Sequence, residues 1–122
     1  NHALLWDQIS EAVELFWADM EEQGEAEDTV MWVFTEFGRR IADNGTGTDH
    51  GSGGGACLSG PSVKGGLYGE YPDLSPAAQL EGDIHYNTDY RDGYATILES
   101  FMDLDSEPIL NSKFSQLDLL AV

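Results

Sequence analysis

Between residues 3 and 23 the apolar positions Leu5, Ile9, Val13, Phe16, Trp17 and Met20 recur at helical spacing, with Asp7, Glu11, Glu14 and Glu21 elsewhere on the wheel. That period predicts one amphipathic helix. Gly24 follows as a residue able to take the left-handed conformation that ends helices. After the acidic connector Glu25 to Asp28, the run Thr29-Val30-Met31-Trp32-Val33-Phe34-Thr35 is apolar without alternation. A strand with no polar face is one covered on both sides, as in the interior of a parallel sheet. Helix followed by buried strand is the rhythm of an α/β protein.

The pattern then loosens. Residues 44–60 are dense in glycine and read as a loop, too long for a mere connection and therefore functional or held by a ligand. Residues 58–67 suggest a short strand interrupted by Pro61, and Gly65-Gly66 marks a turn or a close backbone approach. Residues 68–82, with Pro72 and Pro76, read as irregular. Asn87, Thr88 or Asp89 can cap a final long helix with Tyr94, Ile97, Leu98, Phe101 and Met102 on its apolar face. Residues 106–122 read as a tail with one short apolar stretch at Leu117 to Leu120, and no internal repeat is evident. Two helices and one or two strands make a thin sheet. The expected fold class is α/β, a partial parallel sheet flanked by helices. Residues 1–122 would form a single domain, a fragment of a larger one, or a chain that completes its sheet through another copy.

Composition narrows the function classes. The chain has 122 residues, 41% of them hydrophobic and 11% aromatic, which suffices for a globular core. Its 23 acidic residues face only Arg39, Arg40, Lys64, Arg91 and Lys113, for a net charge of -18. Such a balance repels phosphate backbones and anionic membranes, so nucleic-acid and membrane-surface binding are excluded as expectations. Cys57 is the single cysteine, so no internal disulfide forms. After Gly53-Gly54-Gly55-Ala56, and with no clear basic partner, it is expected to pack rather than react. No run approaches the roughly 18 apolar residues of a membrane span. The chain opens Asn1-His2 inside the helical pattern, so an upstream portion is expected.

The candidate chemistry lies around Thr48-Asp49-His50-Gly51. A carboxylate and a neutral imidazole are good ligands for a divalent cation, and glycines let the backbone aim them. In open parallel sheets, ligands bind beyond the carboxyl ends of the strands. Glu36 and Arg39 emerge there in Thr35-Glu36-Phe37-Gly38-Arg39-Arg40. Glu36, Asp49 and His50 would make a two-carboxylate, one-imidazole set for Zn²⁺, Mn²⁺ or Fe²⁺, with a position open for water or a substrate oxygen. Arg39 would offer a planar fork to phosphate or sulfate. The plainer alternative makes Glu36 and Arg39 a surface salt bridge and Asp49 a turn residue. His85, between Ile84 and Tyr86, is a weaker ligand candidate, and His2 is expected to be incidental. Asp89 and Arg91 read as a helix cap with a neighbouring ion pair, unless Arg91 faces an anionic ligand.

Four stretches stand in order: Thr35-Glu36-Phe37-Gly38-Arg39-Arg40, Gly47-Thr48-Asp49-His50-Gly51, Val63-Lys64-Gly65-Gly66-Leu67-Tyr68-Gly69 and Thr88-Asp89-Tyr90-Arg91. Over nearly the whole chain they resemble the C-terminal third of the bacterial family known as domain of unknown function 1501. The resemblance implies a relation to the alkaline phosphatase and sulfatase superfamily, with its doubly wound α/β fold and pair of divalent metals. It implies that Asp49 and His50 bind one metal, since Asp49-His50-Gly51 matches the superfamily's Asp-His-Gly motif. Glu36 stands where many relatives place an Asp. The implied activity is metal-dependent hydrolysis of an anionic phosphate or sulfate ester, with Arg39 stabilising charge. The implied location is extracytoplasmic, behind a twin-arginine-type signal at a distant N-terminus. Such families carry further ligands and any nucleophile in a preceding portion, so the isolated chain is expected to be inactive or to self-associate. The alternative is a non-catalytic α/β domain serving in assembly or as an acidic scaffold, a homo-oligomer that buries Trp6, Trp17 or Trp32.

Overall fold

The computed structural model describes residues 2–121. Asn1 and Val122, the ends of the expected single domain, lie outside the described residues.

The first helix, α1 (His2–Gln23), follows the apolar period. Its end is fixed by Gly24, at φ 76. The Gly24 amide donates to Glu21 O at 3.1 Å and the Glu25 amide to Met20 O at 2.9 Å. This paired closure satisfies two carbonyls that the last turn would otherwise leave open. No side chain of α1 is buried. Toward its C-terminal half, Val13, Phe16, Trp17 and Met20 are half-buried. Trp17 Nε1 donates to Ser59 Oγ at 3.1 Å, which ties this half to a strand.

Among the described residues four short strands make two separate sheets, β1 (Met31–Val33) with β4 (Cys57–Ser59), and β2 (Gly38–Asp43) with β3 (Thr48–Gly51). Both pairs are antiparallel, with Met31 opposite Ser59 and Arg39 opposite His50. The architecture is mixed α/β, and the expected parallel sheet with its doubly wound order is not what these strands form. The reason is local. A parallel neighbour needs a crossover of about a dozen residues or more, whereas this chain turns back at once. Asn44 N donates to Gly47 O at 2.8 Å and the Gly45 amide to Asp43 Oδ1 at 2.6 Å, with Gly45 at φ 94. Turn chemistry in Asp43-Asn44-Gly45 therefore closes a hairpin inside a segment whose glycine content suggested a loop. Close approach also fixes glycine here: a Cβ on Gly38 would stand 2.2 Å from the Gly53 amide nitrogen.

The second α-helix begins where a cap was expected. Asp89 accepts from the Arg91 amide at 2.9 Å and opens α2 (Tyr90–Thr96), which continues as a π-helical turn at Ile97–Phe101. A Cβ on Gly93 would meet Trp32 Cζ2 at 2.7 Å, so α2 lies directly on the β1 indole. The supposed tail contains a further short helix, α3 (Ser106–Leu110), capped by Asp105 and ended by Asn111 at φ 54. Beyond it the chain is stitched down. Leu117 N donates to Thr96 Oγ1 at 2.8 Å, Ser115 N to Asp92 Oδ1 at 2.9 Å, and Lys64 N to Leu119 O at 2.8 Å.

The core is small. Its buried hydrophobic residues are Ala95, Leu119 and Leu120, joined by the buried hydroxyls of Thr96 and Ser106. Residues 68–82 are irregular as expected, and Leu67 and Tyr71 stand fully in solvent. The accessible surface totals 8732 Å². A compact monomer of this mass exposes about 6,500 Å². Much of this molecule's apolar surface is thus uncovered.

Candidate functional site

The β2–β3 hairpin carries most of the candidate residues. Its two strands cross closely because Gly38 faces Gly51, and a Cβ on Gly51 would stand 2.6 Å from the Arg39 carbonyl carbon. The following turn is anchored by Ser52 Oγ donating to Ile84 O at 2.8 Å, and by the Arg39 amide donating to Gly53 O at 2.8 Å. These protein contacts hold the glycine-rich segment against residues 38–39 and 84. Arg40 fastens β2 to the 81–84 segment through an ion pair with Asp83 at 2.8 Å and a bond to Glu81 O at 3.2 Å.

Strand geometry then decides which side chains meet. Arg39 and His50 are directly opposite across the ladder, so they share one face. The His50 ring stacks on Phe37, centroids 4.4 Å apart and planes 9° from parallel. Arg39 Nη1 donates to Thr48 O at 2.9 Å, which holds the guanidinium along the hairpin. Asp49 precedes His50 in β3, and successive strand residues point to opposite faces. Its carboxylate instead accepts from Asn44 Nδ2 at 2.7 Å. Glu36 sits in the bend before β2 and is exposed. Among the described residues no three His, Cys, Asp or Glu side chains gather as a cation would require. This hairpin brings Arg39 and His50, both N–H donors, onto one face and sets Asp49 apart.

The other candidates are placed as follows. His85 Nδ1 lies 2.9 Å from Tyr86 O, a neighbouring backbone contact. His2 reaches the hairpin turn, where a Cβ on Gly47 would stand 2.8 Å from its Nε2. Cys57 was expected to pack, but it is exposed, because it opens β4 at the end of a two-stranded sheet. Arg91 does form the expected pair with Asp89, bidentate at 2.9 and 2.6 Å, and its guanidinium lies 4.6 Å from the Phe114 ring centroid. The Arg91 side chain's hydrogen bonds hold Asp89 below the ordinary carboxylate range, and the same bonds raise Arg91.

Two partners escaped the sequence reading, Phe37 against His50 and Asn44 against Asp49. The signal for both was Thr48, a β-branched residue directly after a glycine turn, which marks residues 48–51 as a strand and separates its two faces. A shallow cleft of about 400 Å³ was also unforeseen; Glu99, Asp103, Asp105, Glu107 and Lys113 line it. Ser106 donates to Glu99 there.

No curated protein and no solved structure matches this chain. Among the described residues no helix is long and apolar enough to cross a membrane. The family described as "Protein of unknown function (DUF1501)" matches residues 1–112, a span that holds α1, both sheets, the hairpin and α2. On that match, covering all but the last stitched segment, the chain belongs to the DUF1501 family.

Proposed function

We propose that this chain is part of a metal-dependent hydrolase of phosphate or sulfate esters and is incomplete by itself. One observation carries the incompleteness: about a third more surface is exposed than a compact monomer of 13.4 kDa shows. The four ordered motifs, which resemble the C-terminal third of the family and its link to the alkaline phosphatase and sulfatase superfamily, support the reaction class. The hairpin supports the anion-binding part, since Arg39 and His50 share a face on which an ester oxyanion can accept hydrogen bonds. Glu36 and Asp49 remain the proposed carboxylate ligands, to be drawn together with His50 only when further polypeptide completes the site. An extracytoplasmic location belongs to the same proposal and rests on the resemblance alone. In this reading residues 1–122 are a fragment of one larger domain.

The second reading is a non-catalytic acidic scaffold. The Asn44–Asp49 bond and the Phe37–His50 stack favour it, because both side chains are already engaged with neighbours. Calorimetry with Zn²⁺ and Mn²⁺ separates the two. The hydrolase reading expects cation binding that appears once the completing polypeptide is present and that Asp49→Asn and His50→Ala then each reduce, together with negligible turnover of p-nitrophenyl phosphate or sulfate by the chain alone. Cation binding unchanged in both variants, or absent altogether, would leave the scaffold.

A further inference from the structure

We propose that Asn44-Gly45 is a site of covalent self-modification. In the folded hairpin the Asn44 side-chain amide is lost as ammonia through a succinimide, leaving aspartate or isoaspartate at position 44. This reaction is separate from the proposed ester hydrolysis and does not rest on it.

The sequence sets the chemistry. Asn44-Gly45 is the one Asn-Gly step in the chain, whereas Asn87 and Asn111 precede Thr88 and Ser112. Glycine leaves its own backbone nitrogen free of a side chain that would hinder approach to the asparagine Cγ. Both residues are exposed, and a Cβ on Gly45 would meet no atom within 4 Å. Solvent water, the co-reactant, therefore reaches the turn.

The hydrogen bonds of the turn supply the rest. The Gly45 amide donates to Asp43 Oδ1 at 2.6 Å, so the proton that must leave before this nitrogen attacks already points at a carboxylate. Asn44 Oδ1 accepts from the Thr46 amide at 3.0 Å and from Thr46 Oγ1 at 3.2 Å. That oxygen takes the negative charge when Cγ becomes tetrahedral, and both donors then bind it more strongly. Asn44 Nδ2, the leaving nitrogen, donates to Asp49 Oδ1 at 2.7 Å. One restraint opposes the reaction: Asn44 N donates to Gly47 O at 2.8 Å and limits the rotation that brings Cγ to the Gly45 nitrogen. An exposed turn opens locally at small cost. Asp43 and Thr46 are sequence neighbours of the reacting pair, so they stay beside it when the turn opens.

The steps balance. The Gly45 nitrogen bonds to Asn44 Cγ as Asp43 takes its proton and the carbonyl electron pair moves to Oδ1. The pair returns, the Cγ–Nδ2 bond breaks, and Nδ2 takes a proton back through water and leaves as ammonia. Water then opens one of the two ring C–N bonds, giving aspartate or isoaspartate. Either product replaces the donor that faced Asp49 by a like charge, so the Asp49 side chain is released from its present partner. Isoaspartate also lengthens the backbone of the turn, which disturbs the register of β2 on β3.

The experiment ages the whole chain at neutral pH and physiological temperature, in buffer and in concentrated urea, and maps its peptides by mass spectrometry with acid and isoacid separated. Asn44 should convert at least about fivefold faster in the folded chain than in the unfolded one, because base and oxyanion donors are then in place. Asn87 and Asn111 should stay intact over the same period. Asp43→Ser keeps an acceptor for the Gly45 amide and removes the base, so it should slow conversion at least about tenfold. Conversion in buffer that is equal to or slower than in urea overturns the proposal, since the hairpin then protects Asn44. So does a folded Asp43→Ser chain that converts as fast as the parent. Should that variant fail to fold by circular dichroism, the parent's two rates decide alone.

Discussion

The two ends of this molecule obey different rules. In the C-terminal region, Ala95, Thr96, Ser106, Leu119 and Leu120 are buried, and the last strand-like segment is bonded to both α2 and the 62–64 turn. At the other end, α1 runs for 22 residues without burying one side chain, and Leu5 and Trp6 remain 52% and 58% exposed. Yet α1 has the more regular apolar stripe of the two. An amphipathic period reports a face meant for burial, and it says nothing about whether the covering surface lies in the same chain. The C-terminal region closes on itself, whereas α1 and β1 leave apolar side chains half-buried or exposed.

Truncating one leucine in each region is the strongest way to break this contrast. Leu120→Ala removes a buried side chain from a core with few others and should cost about 2–5 kcal/mol in denaturant unfolding. Leu5→Ala removes a half-exposed one and should fall within about 0.5 kcal/mol. Equal costs would show that α1 is covered in solution and that the contrast is false.

The contact between β1 and α2 offers the next test. Gly93→Ala gains about 1 kcal/mol of helix propensity, but its methyl would stand 2.7 Å from Trp32 Cζ2. Overpacking costs about 1–3 kcal/mol and should win. A net loss of stability with a changed tryptophan emission is the expected outcome. A stabilised variant with unchanged emission would mean that α2 and β1 do not approach this closely.

Thr96→Val then probes the stitching of the last segment. The hydroxyl of Thr96 donates to Asp92 O at 2.7 Å and accepts from the Leu117 amide at 2.8 Å. Valine keeps the volume and strands that amide, so the loss should be about 1–2 kcal/mol. Faster hydrogen exchange should be confined to residues 115–120. Exchange that quickens across α1 as well would join the two regions into one cooperative unit.

What was legible in the sequence follows from the range of the forces involved. The period of α1, its Gly24 stop and the Asp89 cap are set by neighbours within a turn, and each appears where the residues put it. Residues 29–35 do contain a strand, β1, but in an antiparallel pair and not in a parallel sheet. Its apolar run demands cover on two faces, but Met31, Trp32 and Val33 are only half-buried and the strand has one antiparallel neighbour of three residues. The pairing of a strand depends on chain far away in sequence, which the run cannot encode. The hairpin was missed because glycine content was weighed above the turn chemistry of Asp43-Asn44-Gly45 and the β-branched Thr48. The same error let Asp49 and His50 be imagined side by side, since only a strand assignment reveals that neighbours point apart. The helix at residues 106–110 escaped because its five residues are too few for a period, although Asp105 and Asn111 mark both ends.

The smallest effect tests the self-sufficient region by its charge. The bidentate bonds from Arg91 hold the Asp89 carboxyl below its ordinary 3.8 when folded. The ionised form is therefore favoured by folding, so this pair's contribution is present above that ordinary value and is lost as pH falls through the lower, folded one. Asp89→Asn keeps an oxygen for the Arg91 amide, so the cap survives while the ion pair disappears. Because Asp89 is partly exposed and screened, the variant should be less stable at neutral pH by no more than about 1 kcal/mol. Unfolding curves for parent and variant should converge as pH is taken below the ordinary carboxylate range. A gap that persists unchanged into acid would assign the loss to the cap geometry and remove the ion pair from the account of how α2 is held.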